Sequence, residues 1–428
     1  MKKPLTVALI VMAALVTTIA VGAVMMTACS QSQETAKKKP EPEPISNLLT
    51  GYTAEDGFDE SARDRRVVAF VVENAPEARP QWGMDDPEYS PDIILEAEVE
   101  GGITRTLWLY QDYKKLPEVI GPMRSARPPF IRFSEFWNSV FIHWGASHSA
   151  GGYTGANEVF TSDGVEHIDQ MSFTNECGLY DRDHSRGVSA EHTGIVYGEK
   201  VEAALKEEQI KEKRKAPPSE LKFNKTAKPM SDTRADEVSV DYSSRTDWET
   251  TKWTYSEEDK QYHTENFEND LKRDNLLILY AETEYITKDN YQGPGGASSV
   301  TYCDYSMEGG KGKLISMGTV KDIQWEKKDG QLVLIDVEAT KAAQAKAAEE
   351  NADKAEDETE PAEPIVVEAK LNKGKTWIGW ISNNNGGKVE ITANPESTDG
   401  ESGEGEGSSD STEEGSEPAP TEVDGDAE

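Results

Sequence analysis

The residues able to build a core are confined to the middle of this chain, and that limits which folds are open to it. From Glu396 to Glu428 there are 13 acids and no Lys or Arg, so this stretch alone carries −13 of a formal net charge of −35. From Lys341 to Glu363, 8 acids and 3 lysines give −5. Both stretches are rich in Glu, Ala, Ser, Gly or Pro and lack large apolar side chains. They cannot bury enough surface to offset the entropy of ordering the chain, so both are expected to be disordered: an acidic insertion at 341–363 and a tail at 393–428. The acidic total also argues against nucleic acid as a partner, because phosphates call for basic patches.

The amino-terminal end is set apart in a different way. Lys2 and Lys3 precede an uncharged run of 24 residues from Leu5 to Ala28, which stops at Met26-Thr27-Ala28-Cys29. A small residue directly before Cys after an apolar run is the pattern of a bacterial lipoprotein signal peptide. Residues 1–28 are read as that leader and Cys29 as the lipidation site. The expected location is extracytoplasmic, lipid-anchored to the outer face of the bacterial cell membrane. An uncleaved membrane helix is the alternative reading, since about 20 apolar residues span a bilayer; either way the rest of the chain faces outward. Residues 29–62 are read as a flexible linker, with the KKKPEPEP run (Lys37 to Pro44) acting as an extended spacer. Cys177 and Cys303 are then the remaining thiols, and spacing alone does not establish whether they form a disulfide.

Between these ends the fold class is expected to be α+β. A first domain, residues 63–215, alternates strands and helices. Val67 to Asn74 reads as a buried strand, Ile93 to Val99 and Thr104 to Tyr110 as a hairpin joined through Gly101-Gly102, and Ser139 to Gly145 as another short strand. Pro128-Pro129 suits a first helical turn, with Phe130, Phe133 and Trp137 on one face. Thr193 to Glu207 is expected to be helical. From residue 216 to 392 the segments EVSVDYSS, KWTYSEEDKQYHT, DNLLILYAETEYIT, GKLISMGTV, DIQWEK, QLVLIDVE and KTWIGWIS are strand-like, with a turn at Lys328-Asp329-Gly330. This second domain is expected to be mostly antiparallel β.

The candidate chemistry lies in the first domain, where Arg105, Arg124, Arg127 and Arg132 are gathered. Guanidinium forks bind carboxylate or phosphate with two parallel hydrogen bonds, and a helix starting at Pro128 adds a partial positive charge. These features point to an anion site, with Glu100 as a neighbour of Arg105 across the glycines. The competing reading is an internal network in which Glu96, Glu98 and Glu100 neutralise the arginines and orient loops. Five of the six histidines, His143, His148, His167, His184 and His192, fall within 50 residues and suggest a polar pocket nearby. His184 and His192, close to Asp183 and Glu191, are the candidate general bases. Cys177, Ser125, Ser147 and Ser149 are candidate nucleophiles, none in a recognised setting such as GxSxG. No HExxH or similar spacing appears, so no metal and no cofactor is expected.

Several of these runs carry a family resemblance. VVAFVVENAPEARPQWGM, ILEAEVEGGITRTLWLY, IGPMRSARPPF, VFIHWGASHSA, YDRDHSRG with AEHTG, KGKLISMGTVKDIQW and LNKGKTWIGW together resemble the YerB-like bacterial lipoproteins, a family known by the label DUF3048. The resemblance runs from about residue 66 to 390, and implies two domains in this order after a lipoprotein signal. It places importance on Glu100, Arg105, Arg124, Arg127, Arg182 and His192. AEHTG departs from the APHN-like run expected there, with Glu191 and Thr193 in place of Pro and Asn. The family supplies no settled reaction, so whether the chain is an enzyme is left open.

Three functions are compatible with these features. The leading one is a membrane-tethered binding protein for an anionic cell-envelope ligand: a wall glycan, a peptide carboxylate or a phosphate polymer. The second is an envelope hydrolase or transferase using His192 or His184 as base. The third is a docking subunit for an envelope protein partner in wall synthesis or division.

Overall fold

A run such as Val-Ala-Phe-Val-Val demands cover on both faces, and strand β1 (Val68–Glu73) is buried at every position. In this computed structural model the described residues are 44–149, 152–214, 216–246, 250–289, 299–352 and 365–394. The expected leader, Cys29, the expected KKKPEPEP spacer as far as residue 43, the end of the expected insertion and the chain beyond residue 394 lie outside them.

After β1, strands β2 (Ile93–Glu98) and β3 (Thr104–Tyr110) form the expected hairpin, with Ile93 opposite Leu109 and Glu98 opposite Thr104. Gly101 and Gly102 both take positive φ in the connection, which glycine alone adopts without strain. β4 (Val119–Ile120), helix α1 (Pro128–Ser134), β5 (Val140–His143), helix α2 (Ala156–Ser162) and β6 (His167–Asp169) follow. β7 (Tyr180–Arg182) and β8 (Gly194–Tyr197) pair antiparallel, and helix α3 (Val201–Glu207) closes this half. Residues 193–207 were expected to be helical throughout. The β-branched Ile195 and Val196 instead fill a strand between β4 and β7, and the helix begins only at Val201.

The second half opens with β9 (Lys222–Phe223). β10 (Glu237–Asp241), β11 (Thr251–Tyr255), β12 (Tyr262–Thr264) and β13 (Leu271–Arg273) then make an antiparallel sheet. β14 (Asn275–Ala281), β15 (Thr283–Lys288), β16 (Val300–Tyr305), β17 (Gly309–Ser316), β18 (Thr319–Lys328) and β19 (Gln331–Asp336) lead to helix α4 (Val337–Ala352). β20 (Lys370–Leu371), β21 (Thr376–Ser382) and β22 (Lys388–Thr392) complete the chain, β22 joining the sheet of β10.

Ten strands share one sheet in the order β19-β18-β17-β14-β21-β2-β3-β1-β5-β6. Both halves of the sequence therefore contribute to it, and the described residues from Ser46 onward form one unit. β21 inserts between β14 and β2 and runs parallel to both, an exception to the antiparallel pattern expected of this half. The two faces of the sheet carry two cores. Ala69, Val71, Leu95, Leu107, Leu279 and Trp380 face one, with Phe130 and Phe133 of α1 packed on them. Val68, Phe70, Trp108, Ile278 and Trp377 face the other, covered by Val238, Val240 and Trp253 of the smaller sheet and by α3.

Parts of two stretches expected to lack structure are folded. Leu48, Leu49 and Ala62, from the expected linker, are buried to 2% exposure or less. The first part of the acidic insertion, through residue 352, is helix α4. Its alanines have the best intrinsic helix propensity, and Asp336 accepts the Ala339 N–H at 3.0 Å at its start. Cys177 and Cys303 are both free thiols.

Candidate functional site

Strands β1, β5 and β6 are mutually parallel and end together at Glu73, His143 and Asp169. Ligands of open sheets gather outside the carboxyl ends of parallel strands, and a cleft of about 500 Å³ lies here, lined by Arg124, His143, Trp144, His167, Asp169 and Arg182 among others. The Met123–Ala126 segment is pinned across it. Met123 N–H donates to the Gly194 carbonyl at 2.7 Å, Arg124 N–H to Val71 at 3.0 Å, and Ala126 N–H to Gly145 at 2.9 Å. In return Trp144 N–H donates to the Arg124 carbonyl at 3.1 Å.

Arg124 leans on the buried Glu73, with Nε 3.1 Å from Oε1, and its Nη1 donates to the Glu191 carbonyl at 3.2 Å. The other oxygen of Glu73 is 2.9 Å from Nδ1 of His192, whose Nε2 lies 3.8 Å from Glu191. Glu73 thus bridges Arg124, which lines the cleft, and His192, which does not. Arg182 is held otherwise. Its guanidinium lies 4.3 Å above the Trp144 ring and donates to the Ala190 carbonyl and to Thr193 Oγ1. The ring can lie there because residue 194 is glycine: a Cβ would sit 2.7 Å from it. Among the described residues no carboxylate pairs with Arg182.

Across the cleft, His143 is fully buried and stacked on Phe160. Its Nδ1 is 2.7 Å from the Gly145 carbonyl and its Nε2 is 2.9 Å from His167 Nδ1. Burial pulls His143 down to about 4, Asp169 opposing and His167 adding to the shift. Burial lowers His167 as well, again against Asp169. Burial thus favours the neutral form of both rings. Asp169 itself accepts the Gly145 and Met171 N–H groups at 2.7 and 3.1 Å.

The arginines do not all meet in the cleft. Arg105 and Arg127 both turn to Glu100: Arg105 Nη2 donates to Oε1 at 2.8 Å, Arg127 Nε to Oε2 at 2.8 Å, and Arg127 Nη2 also to Oε1. Burial alone would raise the Glu100 carboxyl, but the two guanidinia more than reverse it and hold it far below the usual carboxylate range. Arg105 is drawn down to about 10 by burial and by Arg127, Glu100 opposing. Glu96 and Glu98 are occupied elsewhere. Glu96 accepts from Asn74, Thr104 and Trp377, and Glu98 accepts the Tyr285 hydroxyl. Arg132 pairs with Asp304. The start of α1 offers little to an anion, since Pro128 and Pro129 carry no N–H and the helix is 7 residues long.

His184 is exposed on the loop after β7 and does not line the cleft; His148 is exposed at its rim. The candidate nucleophiles are engaged locally. Ser125 donates to the Trp144 carbonyl, Ser147 bonds Tyr153, and Ser149 donates to Glu158. The Cys177 thiol is pushed up by burial and by Glu207. Glu73, Trp144 and Asp169 were not singled out from sequence. The one available signal was a charge closing an otherwise apolar strand, as Glu73 does. Among the described residues no group of three or more His, Cys, Asp or Glu side chains is placed to hold a metal ion. No helix among them is long and apolar enough to cross a membrane.

Residues 49–211 match the family described as "Protein of unknown function (DUF3048) N-terminal domain", and residues 234–346 match its C-terminal domain. YerB of Bacillus subtilis (strain 168), which is named as a lipoprotein, is 28% identical over 324 residues, covering 72% of this chain and 85% of that protein. The crystal structure of YerB from Bacillus subtilis shares the fold, with a TM-score of 0.57 at 23% identity, covering 81% of this chain and 99% of that one.

Proposed function

The chain belongs to the DUF3048 family, and from that premise we propose that it is a membrane-tethered, extracytoplasmic protein, acylated at Cys29, that binds an anionic cell-envelope ligand in the cleft beyond β1, β5 and β6. The relative named as a lipoprotein supports the tether. The observation that carries the ligand class is Arg182. Its charge faces the cleft over Trp144 without a carboxylate partner among the described residues, beside Arg124. A guanidinium so placed donates two parallel hydrogen bonds to a carboxylate or phosphate. Arg105, Arg127 and Glu100 take a supporting part: Arg105 Nη1 donates to the Ser125 carbonyl at 2.8 Å and braces the segment that carries Arg124.

Thermal unfolding tests this reading. Inorganic phosphate or a carboxylated wall fragment should raise the melting temperature of the parent, since a ligand at 100-fold its Kd stabilises by about 2.7 kcal/mol. The rise should disappear in Arg182→Ala and shrink with added salt. No rise in the parent, or an equal rise in Arg182→Ala, would reject an anion site here.

A further inference from the structure

The hydrogen bonds of the buried His143 and the half-buried His167 indicate where their protons sit. A carbonyl oxygen only accepts, so the 2.7 Å contact to Gly145 puts the proton of neutral His143 on Nδ1. His143 Nε2 must then accept, and the 2.9 Å contact puts the proton of His167 on its Nδ1. The Nε2 of His167 is left with a lone pair. That nitrogen makes no hydrogen bond among the described residues and keeps some exposed surface, while the ring lines the cleft and is fixed by stacking on Phe160 at 3.9 Å.

We propose that His167 is a general base, its tautomer set by His143, that activates water to hydrolyse an ester carried by the anion bound at Arg182. The proposal rests on the anion-binding reading for its substrate class. No side-chain hydroxyl or thiol among the described residues bonds Nε2, so the proton it takes comes from water. Nε2 takes one proton as the water oxygen bonds the acyl carbon, and the carbonyl electron pair moves to its oxygen. When that pair returns, the C–O bond to the alcohol breaks. The alkoxide leaves with the proton from Nε2, and the imidazole is restored. Ester plus water gives carboxylic acid plus alcohol. A single positioned base contributes about 10²–10⁴-fold, which suits an ester, whose alkoxide departs far more readily than an amide nitrogen. His143 is a positioning residue: without its acceptor, the His167 ring is free to take the other tautomer.

The test uses the full chain with two esters, mono-4-nitrophenyl succinate, which bears a carboxylate, and the neutral 4-nitrophenyl acetate. The parent should hydrolyse the succinate faster than free imidazole at equal concentration. His167→Gln should lower kcat at least 100-fold while keeping the anion-induced rise in melting temperature. His143→Phe keeps a ring on Phe160 and should lower kcat with little change in KM. Burial holds His167 below the ordinary histidine value of 6.5. Asp169 and His143 are its nearest titratable neighbours, and Arg124, His148, Arg182 and Glu191 also line the cleft. The parent rate should therefore be level above that pH and fall below it. Nitrogen-15 spectra of the parent should show both histidines protonated on Nδ1. A proton on His167 Nε2, or hydrolysis unchanged in a folded His167→Gln, overturns the proposal. Loss of the anion effect with His167-dependent hydrolysis of the acetate intact would reject the anion site and leave the base standing.

Discussion

Removing the Arg127 guanidinium should cost about 3 kcal/mol, because the half-buried Glu100 would keep its charge with one partner fewer. Equilibrium denaturation of Arg127→Ala measures this, and a loss under 1 kcal/mol would show the pair to be dispensable. The same carboxylate sets a pH dependence. Its folded value lies below the ordinary 4.5, so the stability it contributes is present in full above that pH and is lost as pH falls toward the folded value. The parent should therefore lose melting temperature more steeply below about pH 4.5 than Glu100→Gln does. That arginines and histidines crowd this region was legible in the sequence. Which arginine each acid takes was not: Glu96, Glu98 and Glu100 follow one another at every second position, yet each finds a different set of partners. Side-chain pairing across 27 residues, as between Arg127 and Glu100, depends on how loops close and leaves no local trace.

At the scale of elements, local chemistry wins where turns are tight. Asp329 and Gly330 take φ of 51° and 80°, the two positive values a two-residue hairpin needs, and Lys328 pairs with Gln331. Gly330→Ala should cost about 1 kcal/mol in equilibrium unfolding, with the strands intact by circular dichroism. Helix α4 shows the opposite lesson. The absence of large apolar residues suggested disorder, yet alanine, lysine and glutamate are strong helix formers once a start is supplied, and β19 supplies one through Asp336. For 193–207, a helical spacing of apolar residues concealed a strand whose place is set by its neighbours β4 and β7.

The whole molecule depends on β21. It holds the centre of the ten-stranded sheet, pairing β2 from one half of the sequence and β14 from the other. Ending the chain before Thr376 would expose two long apolar strand edges and remove the buried Trp377 and Trp380. Calorimetry should show one cooperative transition for the intact protein and none for the truncated one; a surviving transition in residues 49–211 alone would mean that the first half folds by itself.

By itself the sequence determined what proximity along the chain controls. The β2–β3 hairpin with its two glycines, the buried β1, and the enrichment of Arg and His around one segment are all written in composition and short spacing. Only the tertiary structure decided that Leu48 and Leu49 belong to the core, that β21 runs parallel between strands separated by more than a hundred residues, and that Glu100 rather than a ligand holds Arg105 and Arg127. It also left Arg182 without a carboxylate partner and His167 Nε2 without a hydrogen bond among the described residues. Parallel pairing and buried ion networks are made by groups far apart in sequence, whose free energy exists only once the chain has closed around them.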